Sequence, residues 1–403
     1  MAYRYLIREA SGLSEQNPKQ YIEHYSILFT TQSQAHSHKP SITQHTRRFQ
    51  VHILLPLFTL LILAGFAILA GCESPGTPAS QTGAGTGGVD SPHTPTVGTV
   101  PAEGALTTGK RQIVLGFSQL GTESDWRNAN SQSVKEAAEE AGIELIFENA
   151  EQSQKKQFEA VRGFISRKVD VIAIAPVVQS GWDPILDEAQ QAGIPVIIVD
   201  RAVDVEDASK YVTLIGSDFY EEGEKAGKFL VDKMAGTEGP VGIVELKGTA
   251  GSTPSIDRGR GFADTLQGHA KFKVLQSEYA DFTHEQGREV MKSFLQEFGD
   301  GIGVLYAHND DMALGAIEAI EAYGLKPGKD IVIISVDGTR RALESMIAGK
   351  INAVVECNPL LGPNLMQAVN ELMEGRTLPK KIVTPESVFT EVTAELEVNN
   401  RKY

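Results

Sequence analysis

The chain has 403 residues, 41% hydrophobic and 22% charged, with a formal net charge of −15. Residues 1–72 hold six Lys/Arg and three Asp/Glu, so the remainder carries 31 basic against 49 acidic residues, a balance of −18. A surface of that sign repels phosphate backbones and anionic headgroups, which argues against nucleic-acid binding, while the length accommodates two compact lobes with appendages.

Residues 1–50 read as a polar, aperiodic N-terminal extension and are set aside from the fold. After Arg47-Arg48 an apolar run extends from Val51 to Ala70 and ends in Leu69-Ala70-Gly71-Cys72. Residues 51–72 therefore read as a secretory signal whose small-residue cleavage site stands before a cysteine. The string resembles a bacterial lipobox, which implies cleavage before Cys72 and lipidation of its sulfur, a two-chain anchor. A transmembrane helix with an incidental cysteine is the alternative, since the run is long enough to span a bilayer. Both readings put the bulk of the chain outside the cytoplasm. With Cys72 lipidated, Cys357 has no partner, and the fold must rest on core burial. Residues 73–110, rich in Gly, Ser, Thr and Pro, read as a flexible tether reaching about 30–35 Å on average.

From Arg111 the pattern alternates strand and helix. Strands are expected at Ile113–Phe117, Leu145–Phe147, Val171–Ile174 and Pro195–Val199. Helices are expected at Ala129–Ala141, Phe158–Ile165 and Ile185–Ala192, with Gly142 and Gly193 as stops. The second half repeats this grammar. Its strands are Val241–Leu246, Lys273–Gln276, Gly303–Tyr306 and Ile331–Val336. Its helices are Tyr220–Met234, Arg258–Leu266, His284–Phe298, Met312–Tyr323 and Arg340–Ala348. Strands that are apolar throughout imply burial on both faces, hence an α/β fold of two doubly wound parallel-sheet lobes.

Ligands of such sheets bind beyond the carboxyl ends of the strands. Those ends carry Trp126-Arg127, Asp200-Arg201, a Gly-rich loop at Lys247–Gly251 with Arg258 beyond, Asp281-Phe282, His308–Asp311 and Asp337-Gly338. Planar Asp, Asn and Arg groups can hold two adjacent hydroxyls, and aromatic rings cover C–H faces. The set suits a polyhydroxylated ligand.

These residues also carry a family resemblance. From about Gln112 to the C-terminus the chain resembles periplasmic sugar-binding proteins of the ribose/galactose type (type I), and among them the galactofuranose-binding members of ABC importers. The matching stretches include Gly116–Gln119, Glu123–Arg127, Ala175–Val178, Asp200-Arg201, Ile256–Arg258, Asp281–Thr283, Tyr306–Met312 and Leu325–Asp330. The resemblance implies two lobes, 111–217 with 358–386 and 218–357 with 387–403, joined by a three-crossing hinge that closes over one monosaccharide. It implies an ABC permease and its ATPase subunits as partners, a monomeric chain, no cofactor and no catalytic residue.

Carried over residue by residue, the resemblance gives Trp126 the sugar ring face and Phe282 the opposing face. Arg127 bonds ring substituents, Asp200 and Arg201 grip adjacent hydroxyls, and Arg258, Asn309 and Asp337 take others. Glu123 and Ser124 lie in the matching loop. Each has a plainer reading: Trp126 or Phe282 as core aromatics, Arg258 as a first-turn helix residue, the charges as solvated strand ends. Trp182 opens a helix and serves equally well as core. Cys357 stands where relatives carry a polar group, so one contact is expected to be lost or moved to Glu356 or Asn358. Replacing Asp200 or Arg258 by alanine is expected to abolish binding and leave the fold intact.

Other chemistry is poorly supported. His308, Asp310 and Asp311 are adjacent and cannot all point inward as metal ligands. The Gly248–Gly251 loop lacks the lysine of a phosphate-binding loop, and no nucleophile elbow is present. A sensory role, with the closed form docking on a receptor, and a sugar-directed enzyme stand as rival readings.

Overall fold

The computed structural model describes residues 111–403. The expected extension, signal segment, Cys72 and tether lie outside these residues.

In the first sheet the apolar runs form β1 (Val114–Gln119), β2 (Glu144–Asn149), β3 (Val171–Ile174), β4 (Val196–Val199) and β5 (Thr213–Gly216). Between them lie α1 (Asp125–Ala141), α2 (Gln154–Arg167) and α3 (Asp183–Gln191). All pairings are parallel, in the order β11-β5-β4-β3-β1-β2, with β11 (Lys381–Val383) added from the C-terminal region. Every residue of β3 and β4 is buried, as strands covered on both faces must be. Alternate residues serve the two faces: Ala173 and Ile197 join one apolar cluster, Ile172 and Ile198 the other.

The second sheet repeats the order with β6 (Val241–Lys247), β7 (Phe272–Tyr279), β8 (Ile302–Ala307), β9 (Val332–Asp337) and β10 (Ala353–Glu356). It reads β12-β10-β9-β8-β6-β7, where β12 (Val388–Thr390) is antiparallel to β10. Its helices are α4 (Phe219–Lys233), α5 (Thr253–Leu266), α6 (His284–Phe298), α7 (Asp310–Tyr323) and α8 (Arg340–Ile347). The chain then returns to the first sheet through α9 (Gly362–Met373), which packs on α1, and finishes in the second lobe with α10 (Glu391–Glu397). The chain crosses between sheets three times: after β5, after β10 and between β11 and β12. This is the type I architecture, two parallel-sheet lobes on a three-crossing hinge.

Six of the expected helices begin earlier than their apolar periodicity indicates. The first starts at Asp125 rather than Ala129, because Ser124 Oγ accepts the Arg127 N–H at 3.1 Å. The helix after β6 starts at Thr253, with Pro254 in its first turn, rather than at Arg258. The helix after β8 starts at Asp310 rather than Met312, capped by Asn309 Oδ1 on the Met312 N–H at 3.0 Å. Caps and polar first turns carry no hydrophobic period, so the spacing is silent there.

Candidate functional site

A small cavity lies between the lobes. The first lobe contributes Glu123, Ser124, Trp126, Arg127, Asp200 and Arg201. The second contributes Arg258, Phe282, Asn309 and Asp337. All ten positions named from the sequence thus line one space. Phe219, Pro254 and Cys357 line it too and were not named as contacts. Phe219 and Pro254 open helices, and neither has a sequence signal separating it from a core residue.

The walls are built by hydrogen bonding. Arg127 donates from Nη2 to Asp200 Oδ2 at 2.6 Å and from Nε to Glu123 Oε1 at 3.1 Å. Arg201 Nη1 donates to the Val177 carbonyl at 2.8 Å, and its guanidinium lies 5.2 Å from the Phe282 ring centroid. Across the cavity, Arg258 donates from Nε to Glu222 Oε2 at 2.6 Å and from Nη1 to the His308 carbonyl at 2.5 Å. Asn309 Nδ2 donates to the Phe282 carbonyl at 3.1 Å. Trp126 Nε1 donates to the Cys357 carbonyl at 2.7 Å, which fixes the indole at the second crossing.

The positive and negative charges match. Arg127 and Arg201 face Glu123 and Asp200, and Arg258 faces Glu222. Burial pulls Arg127 down, but Asp200 and Glu123 outweigh it and raise its pKa, whereas burial and the Arg127 charge lower Arg201 to about 10. Burial, followed by Asp310, pushes the Asp337 carboxyl well above the usual carboxylate range. Three polar atoms around the cavity have no hydrogen-bond partner in the protein: Arg127 Nη1, Arg201 Nε and Asp337 Oδ2. A buried polar atom left unpaired costs about 1–3 kcal/mol, so each has hydrogen-bonding capacity left to fill.

The backbone is strained where it presents these groups. Asp200, Phe282 and Asp337 have φ of 66°, 61° and 131°, values that cost a non-glycine residue about 1–3 kcal/mol each. Gly216 makes room for the first, since a Cβ there would lie 2.7 Å from the Asp200 carbonyl oxygen. A Cβ on Gly248 would lie 1.8 Å from Phe282 Cζ. Gly248→Ala is therefore expected to evict the Phe282 ring from the cavity and weaken ligand binding at least about tenfold, or about 1.4 kcal/mol, measurable by calorimetry.

The remaining sequence candidates lie elsewhere. Trp182 is fully buried, donates to the Val178 carbonyl at 2.7 Å and packs edge-on against Phe158, so it is core. His308 pairs with Glu245 at 2.8 Å. Asp310 accepts from Ser335 and Thr339 hydroxyls, while Asp311 accepts the Asp125 N–H at 3.0 Å. The three side chains diverge. Arg258 sits in the second turn of its helix, not the first.

At the rim the lobes touch directly. The Gln179 N–H donates to the Gly251 carbonyl at 2.9 Å and the Ala202 N–H to Thr253 Oγ1 at 3.0 Å. The cavity stands at the carboxyl ends of two like-wound sheets, and the chain belongs to the periplasmic binding protein family: residues 115–377 match the periplasmic binding protein domain, and its relatives are solute-binding proteins rather than enzymes. It is 41% identical to the galactofuranose-binding protein YtfQ of Escherichia coli (strain K12), over 72% of this chain and 92% of that protein. Among solved structures, a Mycobacterium smegmatis protein in complex with β-D-fucofuranose is 49% identical with a TM-score of 0.71, covering 72% of this chain and 95% of the other. The binding component of the arabinose ABC transporter from Shewanella sp. ANA-3, bound to L-arabinofuranose, is 45% identical with a TM-score of 0.69 and the same coverages.

Proposed function

We propose that this chain is the extracytoplasmic binding protein of an ABC sugar importer and holds one furanose-form aldose, galactofuranose or a close relative, in the inter-lobe cavity. The observation that carries this reading is a small cavity with balanced charges, two aromatic rings and unpaired polar atoms pointing to an uncharged polyhydroxylated ligand. A sugar phosphate or an amino acid would bring charge for which this wall has no counter-ion to spare. The relatives named above bind furanoses, which supports the ring form.

In this reading Trp126 and Phe282 cover the two faces of the ring. Arg127, Asp200, Arg201, Arg258, Asn309 and Asp337 bond its hydroxyls, with Glu123 and Ser124 holding the loop. The lobes comprise 111–217 with 358–386 and 218–357 with 387–403, and Cys72 carries a lipid anchor on a monomeric chain. Closure over the sugar creates the surface that docks on a permease whose ATPase subunits supply the energy. A thermal-shift panel of aldopentoses and aldohexoses tests the reading: a ligand at about 100 times its Kd adds about 2.7 kcal/mol of stability. Furanose-forming aldoses are expected to raise the melting temperature. A flat response to every simple carbohydrate would sink the assignment.

A further inference from the structure

Each of the three chain crossings brings a polar group to a common point. The first brings Ser217, the second Cys357 and the Asn358 N–H, and the third Glu386. Ser217 Oγ donates to Glu386 Oε1 at 2.5 Å, and the Asn358 N–H donates to the same oxygen at 3.0 Å. Ser217 Oγ also lies 3.4 Å from Cys357 Sγ. Glu222, reaching in from α4, completes the group, with one atom each of Glu222, Cys357 and Glu386 lying within 4.8 Å of one another. Glu222 is 0% exposed; its Oε2 pairs with Arg258, while its Oε1 has no partner.

Two carboxyl groups this close, one fully buried and the other partly buried, repel strongly if both ionise against one guanidinium. The surrounding groups do not relieve it. Lys225 of α4 donates to the Glu386 backbone carbonyl and pairs with Glu221. Lys381 of β11 pairs with Asp218, and Arg401 with Glu356 of β10. Burial raises both the Asp337 carboxyl at the end of β9 and the Cys357 thiol well above their ordinary values, so neither supplies a positive charge.

We infer that Glu386 keeps its proton at neutral pH and donates it to Glu222 Oε1, so that one shared proton ties α4 to all three crossings and steadies Arg258 for the ligand. The Arg258 part rests on reading the cavity as a sugar site; the shared proton does not. Burial first, and then the Glu222 charge, raises Glu386 from 4.5 to about 9. The unfolded chain gives up this proton near the lower value and the folded chain near the higher one. Between them the folded state binds more protons, so its stability falls as pH rises and levels off above about 9. A divalent cation could occupy the same sulfur and carboxylates, but Arg258, 2.6 Å from Glu222, opposes one.

The test is the melting of the full chain without carbohydrate, between about pH 6 and about pH 10, for wild type and Glu386→Gln. Glutamine is neutral throughout and can donate from Nε2 to Glu222 while its oxygen keeps both present donors. Wild type is expected to lose stability relative to the variant up to about pH 9 and run parallel above it. Ser217→Ala, which deletes a donor favouring the charged form, is expected to move the break to higher pH, and it decides the matter if the glutamine variant does not fold. Parallel profiles throughout, or an unmoved break in Ser217→Ala, would overturn the inference. Zinc ion alone stabilising wild type but not Glu386→Gln would also overturn it, since the carboxyls would then hold a metal. No sugar enters these measurements, so failure of the sugar reading shows separately in the carbohydrate panel.

Discussion

Asp200→Ala is expected to abolish the sugar-induced rise in melting temperature. Its Oδ2 is the near partner of Arg127 Nη2, and its strained backbone aims the carboxylate into the cavity. The variant loses the carboxylate and leaves a guanidinium whose remaining partner is Glu123. Hydrogen bonds to charged groups contribute about 1.5–3 kcal/mol each, so the loss of two hydroxyl contacts lowers affinity by about 100-fold or more. The chain itself should still fold, because Arg127 retains Glu123. Asp200→Asn separates charge from shape: it tolerates the left-handed backbone and keeps one acceptor, and its affinity should fall between the other two. Binding by Asp200→Ala within tenfold of wild type, read by calorimetry, would remove Asp200 from the site.

Arg258→Ala has a different expected result, and here the structure revises the expectation drawn from the sequence. Arg258 is 3% exposed and donates to Glu222, which is 0% exposed. Removing it strands a buried carboxylate, at a cost of about 3–5 kcal/mol. The variant should therefore melt well below wild type as well as fail to bind. Adding Glu222→Gln should restore part of the stability and none of the binding, a separation that a double-mutant cycle can read. Melting of Arg258→Ala within about 1 kcal/mol of wild type would show that the pair is not holding α4 to α5.

Much of this molecule was legible because two-sided burial leaves a plain mark. Val171–Ile174 and the run ending at Val199 are apolar without alternation, and only a sheet covered on both faces asks for that. The carboxyl end of the second run marked Asp200 as a candidate, and the ends of the strands before them marked Asn309 and Asp337, alongside the family resemblance. The short strands β5, β10, β11 and β12, three or four residues each, offered too few positions for any period to register. Glu222 was hidden for another reason: a glutamate in the first turn of a helix reads as a solvent-facing acid favoured by the helix dipole, and its burial depends on an arginine brought in from α5. Glu386 was equally silent, since its partners come from crossings about 30 and about 170 positions away.

Trp126 belongs by chain to the first lobe, yet its ring packs in the apolar cluster of Phe219, Val304 and Val355 in the second, and its nitrogen is fastened to Cys357. A door swings least beside its post. If the lobes are to part without tearing this ring from its seat, the pivot must pass close to Trp126. The contacts of Gln179 with Gly251 and of Ala202 with Thr253 are then the ones that must break for the lobes to part.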